Sequence, residues 1–132
     1  MSDPVSIVQA AYACFGRGDI PALLQLLTED VDWQFCGDSG APYTTRVRGR
    51  GQVAEWFGIV AAMDDIQVFE PRSFLAGPDH VTVLGYENSR ARQTGKPFAC
   101  EWVHVWWLRD GRVQRFWGML DSEVVARARV GA

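Results

Sequence analysis

The chain has 132 residues, 48% hydrophobic and 22% charged, which is enough for one domain (1–132) with a sizeable core and no need of cross-links. Thirteen basic against sixteen acidic residues leave a net charge of −3, so no global field favours nucleic acid or an anionic membrane surface. Three cysteines (Cys14, Cys36, Cys100) lie far apart without a Cys-x-x-Cys pair, which argues for reduced, buried thiols; no metal and no cofactor are expected.

The opening MSDPVSIVQ has neither the basic start nor the long apolar run of a signal peptide, and no segment reaches the length of a membrane span. These features predict a cytoplasmic protein, intact from its first residue. Asp3-Pro4 offers an N-cap followed by proline at the first helical position, and apolar residues from Val5 to Phe15 predict a helix covered on most sides. Gly16-Arg17-Gly18 ends it. Asp19 caps a short second helix whose buried stripe is Leu23, Leu24, Leu26 and Leu27. Val31 to Phe35 alternates apolar and polar, predicting a strand with Val31, Trp33 and Phe35 on one face and Asp32 on the other.

A turn-rich loop, Cys36 to Pro42, leads to Tyr43–Arg50, where Arg46, Arg48 and Arg50 fall two apart. This row suits a phosphate or acidic partner, but a solvated strand edge is the simpler expectation. Val53, Trp56, Phe57 and Val60 mark a third helix over Gln52–Met63. Ile66–Leu75 is a strand that bends or lies on an edge at Pro71, and His80–Asn88 is the next strand. Two further strands flank Asp110-Gly111, a strong hairpin signal, and Asp121 caps a terminal helix over Ser122–Arg129. The order predicts an α+β domain in which a curved antiparallel sheet wraps around helices.

Phe98–Asp121 concentrates chemistry. It holds Trp102, Trp106, Trp107 and Trp117 together with His104 and Cys100. So many rings need burial on at least one side, which makes this hairpin one wall of a pocket. With Gly111 as the bulge of a three-residue loop, His104 lies opposite Phe116 and Trp102 opposite Gly118. A two-residue turn puts Val103 opposite Gly118 and sends His104 to the other face. The three-residue loop is preferred because it stacks Trp102, His104, Trp106 and Phe116 on one surface.

The stretches FGRGDIPALLQLLTEDVDW, VRGRGQVAEWF and EWVHVWWLRDGRVQRFWGMLD, in that order, resemble the nuclear transport factor 2-like superfamily, in its SnoaL-like and ketosteroid isomerase-related branch. The resemblance implies a cone-shaped sheet around three N-terminal helices (a cystatin-like α+β barrel), an apolar cavity, and a homodimer formed through the sheet. It also implies small-molecule chemistry by isomerases, cyclases, dehydratases or hydrolases, alongside non-catalytic binders. The carboxylates those enzymes use do not carry over. The isomerase base position is Phe35, its oxyanion-hole acid is Val103, and the cyclase acid/base position is Gly118. The helix-one tyrosine of the isomerases falls at Ala11, with Tyr12 one step off and about 100° around the helix.

His104 is therefore the candidate acid/base, since imidazole titrates nearest neutrality. Trp33, Phe35, Tyr43, Trp56, Phe57, Trp102, Trp106 and Phe116 are the candidate aromatic lining. Tyr86, Asn88 and Arg90 share a strand face and could supply polar groups to a ligand, Tyr12 is a further candidate ligand contact, and Gly118 would leave room for a ligand or ring. Glu101 alternates away from His104, and Asp121 is accounted for as a cap. Nothing beside Cys36 or Cys100 in sequence marks an activated thiolate. Three functions compete: an enzyme moving protons on a small apolar substrate, a non-catalytic binder of such a molecule, and a dimerisation or interaction module.

Overall fold

The computed structural model describes residues 3–130. Asp3 caps α1 (Pro4–Gly16) by accepting from Ser6 N–H at 2.7 Å, and Asp19 caps α2 (Ile20–Gln25) by accepting from Ala22 N–H at 3.2 Å. Between them Gly18, at φ 72°, takes the left-handed turn that stops α1. β1 (Leu27–Cys36) is twice the length of the alternating run that predicts it, because its first half continues past an irregularity between Leu27 and Asp32. β2 (Arg46–Arg48) pairs with it, and α3 (Arg50–Met63) follows directly.

β3 (Asp64–Ala76), β4 (His80–Ala91), β5 (Pro97–Arg109) and β6 (Arg112–Leu120) are successive antiparallel neighbours. The six strands form one curved sheet in the order β2-β1-β6-β5-β4-β3. Its β1–β6 pair runs parallel, so the sheet is mixed where hairpin logic predicts antiparallel throughout. Pro71 sits on the edge strand β3, next to a register shift between Pro71 and Ser73, as its missing N–H requires. α4 (Ser122–Ala128) closes the order, capped by Asp121. Among the described residues no helix is long and apolar enough to cross a membrane.

The hairpin register differs from both sequence expectations. Asp110 (φ 52°) and Gly111 (φ 78°) form a two-residue turn, with Arg109 opposite Arg112. A bulge then places Gln114 as an extra residue, since Leu108 pairs with Val113 but Trp107 with Arg115. The extra residue reverses the phase of the strand. Trp106 consequently faces Phe116, His104 faces Gly118, and Trp102 faces Leu120. His104 does share the inner face with Trp102, Trp106 and Phe116, through a tight turn and a bulge rather than through a three-residue loop.

The sheet's inner face and α1 to α3 enclose the core. Val8, Leu27, Val31, Val53, Val81, Val83, Val113 and Val125 have no exposed surface. The outer face is polar and salt-bridged in part: Arg46 grips Asp32 through Nε at 2.9 Å and Nη2 at 2.6 Å. Arg50 leaves the arginine row altogether and donates to the Leu27 carbonyl at 2.6 Å and 3.1 Å. That row is therefore no single anion-binding edge.

Candidate functional site

A cavity opens among the inner face of the sheet, α1 and α3. Its volume is about 70 Å³. One water needs about 10–15 Å³ on that measure, so several waters or a small organic molecule fit. Trp33, Phe35, Tyr43, Trp56 and Phe57 line it from β1, the following loop and α3. Trp106 and Phe116 line it from the hairpin, and Tyr12 from α1. Phe15, Ile66 and Phe69, which the sequence reading did not select, complete much of the apolar wall.

His104 lines the cavity as part of a neutral polar group. Tyr12 Oη lies 2.7 Å from His104 Nδ1, and Trp106 Nε1–H donates to the same Tyr12 oxygen at 3.0 Å. With Trp106 supplying one proton to that oxygen, the phenol hydrogen goes to Nδ1, which assigns the histidine proton to Nε2. The ring is also packed between rings: Trp102 stacks on it at 4.0 Å and Phe116 meets it edge-on at 4.8 Å. Burial pushes the imidazole down to about 3, so it is neutral at ordinary pH. Burial likewise pushes the Tyr12 phenol well above its usual range.

Two glycines make this packing geometrically possible. A Cβ at Gly85 would sit 2.1 Å from the Trp102 ring, which lies across β4 at that point. A Cβ at Gly118 would come within 2.9 Å of His104, Phe116 and Phe35. The space expected above Gly118 is thus filled by these rings, and it faces His104 rather than Trp102. Neither Trp102 nor Gly118 lines the cavity; they support the residues that do.

Tyr86 and Asn88 are on the opposite face of β4. Val81, Val83, Glu87 and Ser89 are the inward series, and the side chains between them point out, Tyr86 under the Arg72 guanidinium at 4.6 Å. This corrects the choice of polar strand residues. The inward carboxyl is Glu87, buried at 6% exposure and accepting from Ser89 Oγ–H at 2.7 Å. Burial foremost, and the like charge of Asp64 after it, hold Glu87 up at about 6.

Asp64, the first residue of β3, is the second carboxylate of the lining. Its Oδ2 accepts from Tyr43 Oη–H at 2.8 Å and from Arg129 Nη2 at 3.0 Å, and Arg129 Nη2 also donates to Tyr43 Oη at 2.6 Å. Arg129 reaches in from the residue that ends α4, with its side chain 9% exposed against 4% for Asp64. Asp64 Oδ1 lies 2.8 Å from Nη2, yet no proton is aimed at it, since both Nη2 hydrogens serve Tyr43 and Oδ2. Burial foremost, then the nearby Asp64 charge, raises the Tyr43 phenol far above its usual range.

The signal for Glu87 lay in the sequence: Val81 and Val83 fix the phase of β4, and Glu87 follows that phase. Asp64 and Arg129 had no such signal. One sits where a helix turns directly into a strand, and the other sits 65 residues later.

Comparison with known proteins agrees with the architecture. No curated protein matches the sequence. An NTF2-like protein of Burkholderia xenovorans LB400 is 30% identical, with 96% of this chain and 95% of that one covered and a TM-score of 0.87. An NTF2-like protein of Burkholderia thailandensis E264 is 26% identical over 99% of this chain and 100% of that one, with a TM-score of 0.91. TerC, in a structure co-crystallised with polyporic acid, shares the fold at 24% identity, 96% and 98% coverage and a TM-score of 0.82. The sequence model of the SnoaL-like domain matches residues 8–116, and the chain belongs to that family, on an NTF2-like fold.

Proposed function

We propose that the protein is a small-molecule enzyme of the SnoaL-like type, moving protons on a mainly apolar molecule held in the aromatic cavity. The observation that carries this reading is Glu87, a cavity-lining carboxyl held at about 6. A group titrating there both accepts and returns a proton near neutral pH. His104 enters as a neutral donor through Nε2–H rather than as the acid/base, because a ring that titrates at about 3 is a weak base. The aromatic walls exclude water and orient the molecule. TerC, which shares the fold and was co-crystallised with polyporic acid, supports the reading.

The test is deuterium exchange at the α-carbons of 2-indanone in D2O, followed by NMR. The parent protein should accelerate exchange, and Glu87→Gln should reduce it by about 100-fold or more. Exchange at the buffer rate, or a Glu87→Gln protein as fast as the parent, overturns the reading. The competing reading, a non-catalytic binder, draws on Phe35, Val103 and Gly118 standing where relatives carry carboxylates. It has an apolar ligand recovered unchanged.

The outer face of the sheet is where we propose a homodimer. Leu84 (44% exposed), Val103 and Met119 (37% exposed) are cross-strand neighbours in one apolar row there. Sedimentation showing a monomer at micromolar concentration would remove this proposal.

A further inference from the structure

The two polar groups in the cavity wall are not equivalent in what they leave unmet. Tyr12, His104 and Trp106 bond one another and leave one neutral donor, His104 Nε2–H, without a bond among the described residues. At the other group, two carboxylates meet the cavity and one guanidinium balances only one of them. Arg129 is paired with Asp64 and does not itself line the cavity, so at this end the cavity meets the two carboxyls, while Arg129 Nε behind them also lacks a partner among the described residues. Asp64 Oδ1, on a side chain 4% exposed, has no proton directed at it. Glu87 has Ser89 as its one side-chain donor, on Oε2. With Glu87 ionised, the buried set Asp64, Glu87 and Arg129 sums to −1, an arrangement that favours a cationic guest.

The surroundings suit such a guest. Tyr43, bonded to Asp64, has Phe35 at 5.7 Å and Trp56 at 6.4 Å, and Phe35 and Trp56 are 5.8 Å apart. All three rings line the cavity. Trp56 is fixed by its Nε1–H bond to the Tyr43 carbonyl at 2.8 Å. Aromatic faces attract a cation most strongly when water is excluded. We propose that this end of the cavity binds the protonated amino group of a small, otherwise apolar amine, with Asp64 and Glu87 as its acceptors and Phe35, Tyr43 and Trp56 around it.

The proposal rests on reading the cavity as a small-molecule site and names the class of molecule. It has a pH signature. The groups facing Glu87 are Ser89 on its own strand, Cys100 opposite it on β5, Asp64 on β3, Arg129 after α4 and Tyr43 in the loop. Burial pushes the Cys100 thiol up to about 12 and the Tyr43 phenol higher, so neither ionises near neutrality. Glu87 gains its charge through about pH 6, and an amine that stays protonated binds more tightly as pH rises from 5 to 7.

Three probes with one skeleton, benzylamine, benzyl alcohol and benzoate, test this by titration calorimetry at pH 7. Benzylamine should bind about tenfold or more tightly than benzyl alcohol, a difference of about 1.4 kcal/mol, with no detectable benzoate binding. Glu87→Gln should lose that preference for the amine over the alcohol. The parent protein alone decides the issue if the variant fails to fold. Equal affinity for amine and alcohol, or tighter benzoate binding, overturns the amine assignment and leaves the small-molecule reading standing. If none of the three probes binds, both fall together.

Discussion

Two polar groups share one aromatic cavity and solve burial in opposite ways. Around His104 the solution is neutrality. Tyr12 bonds the ring's Nδ1 and is itself held by Trp106, and burial keeps the imidazole uncharged. Around Asp64 the solution is charge pairing, with a buried guanidinium against one carboxylate and a second carboxyl, Glu87, held near its titration point. The neutral network strands no charge and leaves only a neutral donor, His104 Nε2–H. The charged one keeps an odd carboxyl, which is why we assign proton transfer and guest binding to it.

Breaking each group should separate them by size. Arg129→Met leaves the Asp64 charge buried without its cation, a loss of about 3–5 kcal/mol in urea unfolding. Tyr12→Phe leaves His104 Nδ1 and Trp106 Nε1 without a shared partner but strands no charge, a loss of about 1–3 kcal/mol. If the Tyr12 variant proves the more damaged, the contrast between neutral and ionic burial is wrong.

The parts of this molecule written in short-range patterns were legible. Asp3, Asp19 and Asp121 each serve as the cap their sequence context indicates, and the Asp110-Gly111 turn is a hairpin. Trp33, Phe35 and Trp56 point inward as large apolar residues at the right phase. The bulge at Gln114 was not legible, because nothing in a run of strand-forming residues marks where one is extra. His104 therefore reached the expected face by a different register. Tyr86 and Asn88 failed for another reason. Their polarity drew attention, while the phase set by Val81 and Val83 places Glu87 inside. Asp64 is indistinguishable from Asp65 in sequence, and only the fold brings Arg129 to it.

The smallest expected effect is also the sharpest, because the two groups should respond to acid with opposite signs. His104 titrates at about 3 when folded against about 6.5 free, so its contribution is fully present above pH 6.5 and is lost as pH falls toward 3. Glu87 is raised from 4.5 to about 6, so its contribution is present below pH 4.5 and is lost as pH rises through about 6. Between pH 4.5 and 6 the slopes oppose, each at most about 1.4 kcal/mol per pH unit, and the parent's unfolding free energy should stay nearly flat. Glu87→Gln removes one slope, and its stability should fall steadily as pH drops from 6.5. His104→Gln removes the other, and its stability should rise by about 1.3 kcal/mol from pH 6 to pH 4.5. The Asp32 and Asp3 carboxyls, both held below their usual 3.8, lose their contributions at more acid pH and leave this window clear. Superimposable curves for the parent and Glu87→Gln across it would place Glu87 in water rather than in the cavity wall.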